Sequence, residues 1–348
     1  MSAKPDEALI NLTSTPFNQA LVSVIIPAKD AAATLDRTLW SVRRQTYRNL
    51  EIIVVNDGSS DDTASLVKSH AQQDARIRLI SNPVCIGVGG SRNLGAANAS
   101  GDYLAFIDAD DLMAPESVSA RVARLRESGA GLCYCWSAII DGKDRIINAR
   151  AMDASEGEVF LHLLGNGNFL GNGSCAVVTR AAFDASGGYS DTHFAVGVQG
   201  CEDYQFYLDA ARHCTFACVA EFLIGYRETP GNMSSNENQM LRSMAFVQAD
   251  LLREFPEHRG KLRYVRNGLL IHIAMKALRA RQFGKAIQLF RQIGWNLPSR
   301  ILRYLRSRIA GRDDLLPVGS PYMHVLSELP GVPAVQAKLS GRDGAQAR

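Results

Sequence analysis

The sequence predicts an α/β protein with a doubly wound, mainly parallel β-sheet and a helical extension at its C-terminal side. Two observations carry this prediction. Short β-branched runs alternate with amphipathic segments through the first hundred residues. Beyond about residue 236, apolar residues recur at helical spacing alone.

The first part of the chain supplies four predicted strands with helices between them. The apolar runs Leu21–Pro27 and Leu50–Val55 each end at turn-forming residues, as buried strands do. Leucine and valine spacing predicts helices over Ala31–Thr46 and Asp61–His70. A strand, a small-residue helix and another strand follow: Arg76–Ile80, Gly90–Ala99 and Tyr103–Ile107. Ligands of such sheets bind at the carboxyl ends of the strands.

The later elements are predicted with the same criteria. Helices are expected over Glu116–Glu127 and Cys201–Arg212, and strands over Leu132–Ala138, Arg145–Ile147, Cys175–Val178 and Phe222–Arg227. Together these patterns divide the chain into a flexible segment at 1–20, a main domain at 21–235, a basic helical extension at 236–312 and a poorly ordered tail at 313–348.

Composition is that of a folded protein. Of 348 residues, 46% are hydrophobic and 21% charged, which excludes disordered and collagen-like chains. No apolar run approaches the ~20 residues that span a bilayer, and the first 20 residues lack a signal-peptide core, so we expect a cytoplasmic protein. Seven scattered cysteines without a CxxC pair argue against a disulfide framework and a structural zinc site.

Charge is distributed unevenly. Residues 251–312 contain 15 Lys and Arg against two acids, whereas residues 1–250 contain 20 against 29. The basic segment is either a solvated helical cap or a surface for anionic lipid at the inner face of the membrane. No nucleic-acid motif accompanies the charge, so we predict no nucleic-acid partner.

Acidic residues gather where predicted strands end. Asp57 follows the second strand, Asp108 and Asp110 follow the fourth, and Glu202 and Asp203 open a helix. Each alone is compatible with turn chemistry or a helix dipole. Because parallel strands end at one edge of the sheet, these carboxylates are expected to converge on one cleft.

Three segments, in this order, resemble the family 2 glycosyltransferases of the GT-A type: PAKD through NDGSSDDT, GVGGSRNLGAANASGDYLAFIDADD and GCEDYQFYLDAA. The likeness spans roughly residues 21–234. It implies an inverting transfer of a sugar from a nucleotide diphosphate sugar to the hydroxyl of a saccharide or lipid-linked acceptor. It also implies a divalent cation, Mg²⁺ or Mn²⁺, and a place in cell-surface polysaccharide or glycolipid synthesis.

The resemblance assigns the donor side of the site. By likeness to the family, Asp57 hydrogen-bonds the nucleobase and Pro27 starts the loop over which the base stacks. Asp30 stands where the family commonly has Asn. Arg92 corresponds to the family's arginine beside the nucleotide, and Asp108 to the first carboxylate of the DxD motif, on the ribose or sugar.

The resemblance also assigns metal and catalytic groups. Asp110, with Asp108, would bind the cation that bridges the phosphates. Either Asp203 or Glu202 would take the acceptor proton, with Asp203 preferred. Many family members have a histidine at the place of Thr229, so Arg227 would supply part of the positive charge here.

Two other functions remain open at this point. One is a sugar-nucleotide-binding module or scaffold without catalysis, which intact Glu202, Asp203 and Asp110 argue against. The other is a sugar nucleotidyltransferase, which needs a glycine-rich, basic loop after its first strand. Residues Ala28–Ala31 contain no glycine, which argues against that class.

Overall fold

The computed structural model describes residues 20–229, 232–293 and 315–323. Of the predicted flexible segment 1–20, all but Ala20 lies outside these residues. A sheet of nine strands organises the described part.

Four parallel strands form the first half of the sheet, in the order β3-β2-β1-β4. They are β1 (Val22–Ala28), β2 (Leu50–Asp57), β3 (Ile77–Asn82) and β4 (Tyr103–Phe106). Helices α1 (Leu35–Arg43), α2 (Thr63–Gln73) and α3 (Gly87–Ala97) connect them. Every residue of β1 is buried, as expected for a central strand covered on both faces. The predicted α/β fold with a mainly parallel sheet is confirmed.

The second half of the sheet is mixed. Its strands are β5 (Leu112–Met113), β6 (Leu132–Ile140), β7 (Ile146–Asn148), β8 (Ala176–Thr179) and β9 (Phe216–Arg227). Strand β8 runs antiparallel between β4 and β6, and β9 runs parallel to β6. Strand β9 begins six residues before the predicted strand, because Glu221 separates the apolar residues 216–220 from the apolar run that the prediction used.

Helices cover both faces of the sheet. The remaining ones within the main domain are α4 (Ser117–Ser128), α5 (Phe160–Asn166), α6 (Arg180–Ala185), α7 (Thr192–Ala195) and α8 (Glu202–Ala210). Alternate residues of β1 point to opposite faces. Val24 and Ile26 therefore belong to one apolar cluster, and Ile25 to another.

The extension consists of α9 (Glu237–Glu254), α10 (Arg259–Arg279) and α11 (Phe283–Arg291). Leu251, Leu262 and Val265 share an apolar cluster with Tyr204 of α8. Gln248 Nε2 also donates to the Leu262 carbonyl at 2.8 Å. The first two helices of the extension thus pack on the core of the main domain.

Residues 315–323, part of the segment predicted to be poorly ordered, pack against β6, β7 and β9. The Tyr322 hydroxyl donates to the Phe222 carbonyl at 2.9 Å, and the Leu315 amide to the Ala149 carbonyl at 2.8 Å. Tyr322 is fully buried. Residues 313–314 and 324–348 lie outside the described residues.

Candidate active site

A cavity of about 780 Å³ lies at the carboxyl edge of the parallel strands. Its lining combines the ends of β1 and β2, the segment after β4, the start of α8 and one side of α9. The cavity brings together most of the predicted site residues: Pro27, Asp30, Asp57, Arg92, Asp108, Asp110, Glu202 and Asp203. Thr229 also lines it.

Asp57 joins the end of β2 to the start of α3. Its carboxylate accepts the backbone N–H groups of Ile86 and Gly87, both at 2.9 Å. A negative charge is favoured at a helix N-terminus, where N–H groups lack partners within the helix. Asp57 therefore fixes the helix that carries Arg92 against the strand end.

Asp30 joins the loops that follow β1 and β2. Its carboxylate accepts the Ser60 backbone N–H at 2.7 Å and the Ser60 hydroxyl at 3.0 Å. These hydrogen bonds hold the pKa of the exposed Asp30 carboxyl below its ordinary value. The backbone φ of Asp30 is +46°, a left-handed conformation that Asp and Asn tolerate better than most residues.

Arg92 is the central cation of the cavity. Its guanidinium donates to Asp108 Oδ1 at 2.6 Å and to Glu202 Oε1 at 3.1 Å, and the side chain is 2% exposed. The Tyr189 ring lies 4.9 Å from its guanidinium carbon. One residue of α3 thus ties the end of β4 to the start of α8.

The segment after β4 carries three carboxylates in different environments. Asp108 pairs with Arg92. Burial, and then repulsion by Asp108, raises the pKa of Asp110 to about 6. Asp111 is fully buried and accepts the Ser174 hydroxyl at 2.6 Å, so it belongs to the packing of this segment.

Arg227 is placed behind this segment, and it is not among the described residues that line the cavity. Its Nε donates to the Asp110 carbonyl at 2.6 Å and its Nη1 to the Asp141 carbonyl at 2.9 Å. The guanidinium also pairs with Asp144 and is fully buried. In this arrangement Arg227 supports the Asp110 backbone from outside the cavity.

Glu202 and Asp203 face different partners at the start of α8. Glu202 lies on Arg92, whereas Asp203 Oδ2 accepts the Asn168 amide at 2.9 Å. Burial, and then repulsion by Glu202, raises the pKa of Asp203 to about 7. Asp203 therefore has the proton affinity suited to a general base near neutral pH.

Several lining residues were not predicted from the sequence. Asn168 lies in a glycine- and asparagine-rich loop whose composition indicates only a loop. Met233, Met240 and Met244 also line the cavity, and the last two lie on α9. The i, i+4 spacing of Met240 and Met244 indicates a helix face but not what it faces.

We expect Arg92→Gln to destabilise the protein by about 3–5 kcal/mol, because it leaves the buried Glu202 and the half-buried Asp108 without their shared cation. Chemical denaturation measures this loss. The control is Arg253→Gln, which removes an exposed i, i+3 pair on α9 and should cost less than about 1 kcal/mol. An equal loss of stability in the two variants would contradict the conclusion that Arg92 holds these carboxylates together.

Comparison with protein families gives a match over residues 23–187 to the family described as glycosyl transferase family 2. An uncharacterized glycosyltransferase of Haemophilus influenzae is 30% identical over 233 residues, 63% of this chain and 68% of the relative. The Escherichia coli protein WfgD, named UDP-Glc:alpha-D-GlcNAc-diphosphoundecaprenol beta-1,3-glucosyltransferase, is 28% identical over 269 residues, 74% of this chain and 95% of the relative. These matches confirm the predicted family.

Among solved structures, S. aureus TarS 1-349 in complex with UDP-GlcNAc aligns with a TM-score of 0.56 and 14% identity. The alignment covers 83% of this chain and 80% of that chain. The likeness confirms the GT-A fold predicted from the motifs.

Proposed function

The chain belongs to glycosyl transferase family 2, and we propose that its cavity transfers a sugar from a nucleotide diphosphate sugar to an acceptor hydroxyl. One observation carries the proposal. Arg92 links Asp108 to Glu202, the residue before the proposed base Asp203, so the predicted donor side and this base share one cavity. We propose that residues 21–235 form the catalytic domain and that α9 of the extension contributes part of the cavity lining.

The donor is proposed to lie along the ends of β1, β2 and β4. Its base would contact Pro27 and Asp57, and its ribose or sugar would contact Asp108. Asp30 would contribute indirectly, by ordering the loop after β2 through its hydrogen bond with Ser60. Arg92 is already shared by two carboxylates, so we propose that it orients them.

Asp110 and Asp108 fit a divalent cation, Mg²⁺ or Mn²⁺. Burial, and then repulsion by Asp108, raises the pKa of Asp110; a bound cation would offset the repulsion between the two carboxylates, and such cations prefer carboxylate oxygens. When bound, the cation would supply positive charge for the departing diphosphate. Asp110 and Asp108 would hold it, and Arg227 would keep the Asp110 backbone in place.

The transfer is proposed as a single displacement with inversion. The acceptor oxygen bonds to the anomeric carbon as the bond from that carbon to the diphosphate oxygen breaks. The acceptor proton passes to the Asp203 carboxylate, which Asn168 orients. Glu202 keeps its ion pair with Arg92 and helps to position the groups of the cavity.

The pH dependence of turnover follows from the pKa of Asp203, about 7. Only the deprotonated carboxylate accepts a proton, so kcat should rise as pH increases through about 7 and level off above it. The test measures kcat from about pH 5.5 to about pH 9 at saturating cation. A kcat that falls over this range would contradict the assignment.

The acceptor is proposed to be a lipid-linked sugar in polysaccharide or glycolipid synthesis. The name of WfgD describes such an acceptor, a GlcNAc joined by diphosphate to undecaprenol. The proposal places this chain in the cytoplasm, with part of its extension on the inner face of the membrane. None of the helices among the described residues is both long and apolar enough to span a bilayer.

Helix α11 carries the features of a membrane-docking face. Phe283 and Ile287, one turn apart, are 59% and 52% exposed. Exposed basic residues lie close to them in the sequence, with Arg279 and Arg281 before α11 and Arg291 at its end. A basic and apolar surface of this kind suits anionic lipid headgroups. Three aromatic residues of the extension could also reach the headgroups: Tyr264 is 37% exposed, whereas Trp295 and Tyr304 lie outside the described residues.

Vesicle sedimentation tests this face. Binding should require anionic lipid, weaken as salt rises from about 0.05 to about 0.5 M, and fall in Phe283→Ser/Ile287→Ser. The control is Val318→Ser, because Val318 is 56% exposed on another segment. Equal binding to neutral vesicles, or no loss in the double variant, would leave the helices as a solvated cap.

A donor panel tests the function itself. UDP-, GDP- and dTDP-sugars are offered with Mg²⁺ or Mn²⁺, and thermal shift and release of the nucleotide are measured. We expect at least one donor to raise Tm and to be hydrolysed slowly without an acceptor. If no donor does either, the proposal is wrong.

A further inference from the structure

Three methionines form an apolar wall on one side of the cavity. Met240 and Met244 lie on α9, and Met233 lies in the short 3₁₀ turn before it. Met244 is 8% and Met233 38% exposed, so the wall runs from the interior of the cavity to its mouth. We call these three residues the methionine wall.

The methionine wall adjoins the start of α8. A Cβ placed on Gly200 would come within 3.0 Å of the Met240 sulfur and 3.8 Å of the Met233 sulfur, so both sulfurs converge on this glycine. The Ser243 hydroxyl donates to the Gln199 carbonyl at 2.6 Å and holds α9 on the same loop. Asp203, the proposed base, follows three residues after Gly200.

The chemistry of the wall differs from that of the donor side. Pro27, Asp57, Asp108 and Asp110 form a polar surface suited to a nucleotide and its charges. Methionine side chains are unbranched and polarisable, and they adapt to flexible apolar ligands. The methionine side chains, which line the same cavity as the proposed general base Asp203, are therefore suited to contact a hydrocarbon part of the acceptor.

We propose that the methionine wall binds the hydrocarbon chain of a lipid-linked acceptor and selects for it. This inference rests on the proposed function, whose acceptor proposal names a class of lipid but no residue that contacts it. It assigns α9 a part in acceptor choice, beyond packing on the core. The hydrocarbon of the acceptor would then lie near the exposed basic residues of the helices that follow α9.

The test compares decyl diphosphate with ethyl diphosphate by isothermal titration, with UDP and Mg²⁺ present and without vesicles or micelles. Each buried methylene contributes about fourfold in affinity, so we expect the decyl probe to bind at least about tenfold more tightly. Met240→Gln should reduce this advantage to less than about threefold, whereas Met240→Leu should retain it. The control is Met275→Gln on α10, whose side chain packs in a different apolar cluster.

Separate titrations distinguish the two proposals. UDP affinity should be the same in the wild type and in all three variants. If UDP fails to bind the wild type, the proposed donor site is wrong, and the two alkyl probes alone still report on the wall. An equal affinity of the two probes, or a decyl advantage that Met240→Gln leaves intact, overturns the assignment of the wall.

Discussion

Asp203→Asn should lower kcat by about 10²–10⁴-fold while UDP affinity changes little. The asparagine keeps the size of the side chain and its place beside Asn168, but it cannot accept the acceptor proton. The pKa of Asp203, raised to about 7 by burial and by Glu202, is the physical basis of this prediction. Initial rates and equilibrium titration of UDP measure the two effects.

Two further variants make this result specific. Asp209→Asn lies on the same helix, two turns from Asp203, and is not among the described residues that line the cavity, so it should leave kcat unchanged. Glu202→Gln weakens the pair with Arg92 and should reduce kcat through misplacement of the cavity groups. If Glu202→Gln abolishes the rise of kcat with pH while Asp203→Asn keeps it, Glu202 is the base.

Asp110→Ala should abolish metal-supported transfer and leave the protein folded. Burial and the neighbouring Asp108 raise the pKa of Asp110 to about 6, so its ionised form is disfavoured by its surroundings. Removing it therefore relieves repulsion within the segment, and Tm should hold or rise. Activity across a Mn²⁺ titration, together with Tm, measures both effects.

The matched control for this variant is Asp184→Ala, an exposed carboxylate on α6 away from the cavity. It should leave the dependence of transfer on Mn²⁺ unchanged. Wild-type turnover of Asp110→Ala at limiting Mn²⁺ would show that this carboxylate does not hold the cation.

The parallel half of the sheet could be predicted because its signals are local. Strand β1 is buried on both faces and its residues are apolar except for Ser23, and Asn56, Asp57 and Gly58 mark the end of β2. The antiparallel direction of β8 could not be predicted, because its apolar run is compatible with either direction. Which strands pair depends on the connections between them.

The site was predictable in its residue types but not in its pairings. Strand-end carboxylates were expected at one edge, and the structure brings Asp57, Asp108 and Asp203 to one cavity. That Arg92 bridges two of the acids, and that Arg227 lies behind Asp110, depends on contacts between residues distant in sequence. A buried arginine and an exposed one have the same local sequence signal.

A crystal structure of the full chain with Mn²⁺ and the nucleoside diphosphate that gives the largest thermal shift would show directly whether this cavity binds the donor. We expect the nucleobase beside Pro27 and Asp57, Mn²⁺ coordinated by Asp110 and the diphosphate, and Asp203 facing the space beside the diphosphate where the donor sugar would bind. A nucleotide bound outside this cavity, or Mn²⁺ bound away from Asp110 and Asp108, would contradict the proposed donor and cation sites.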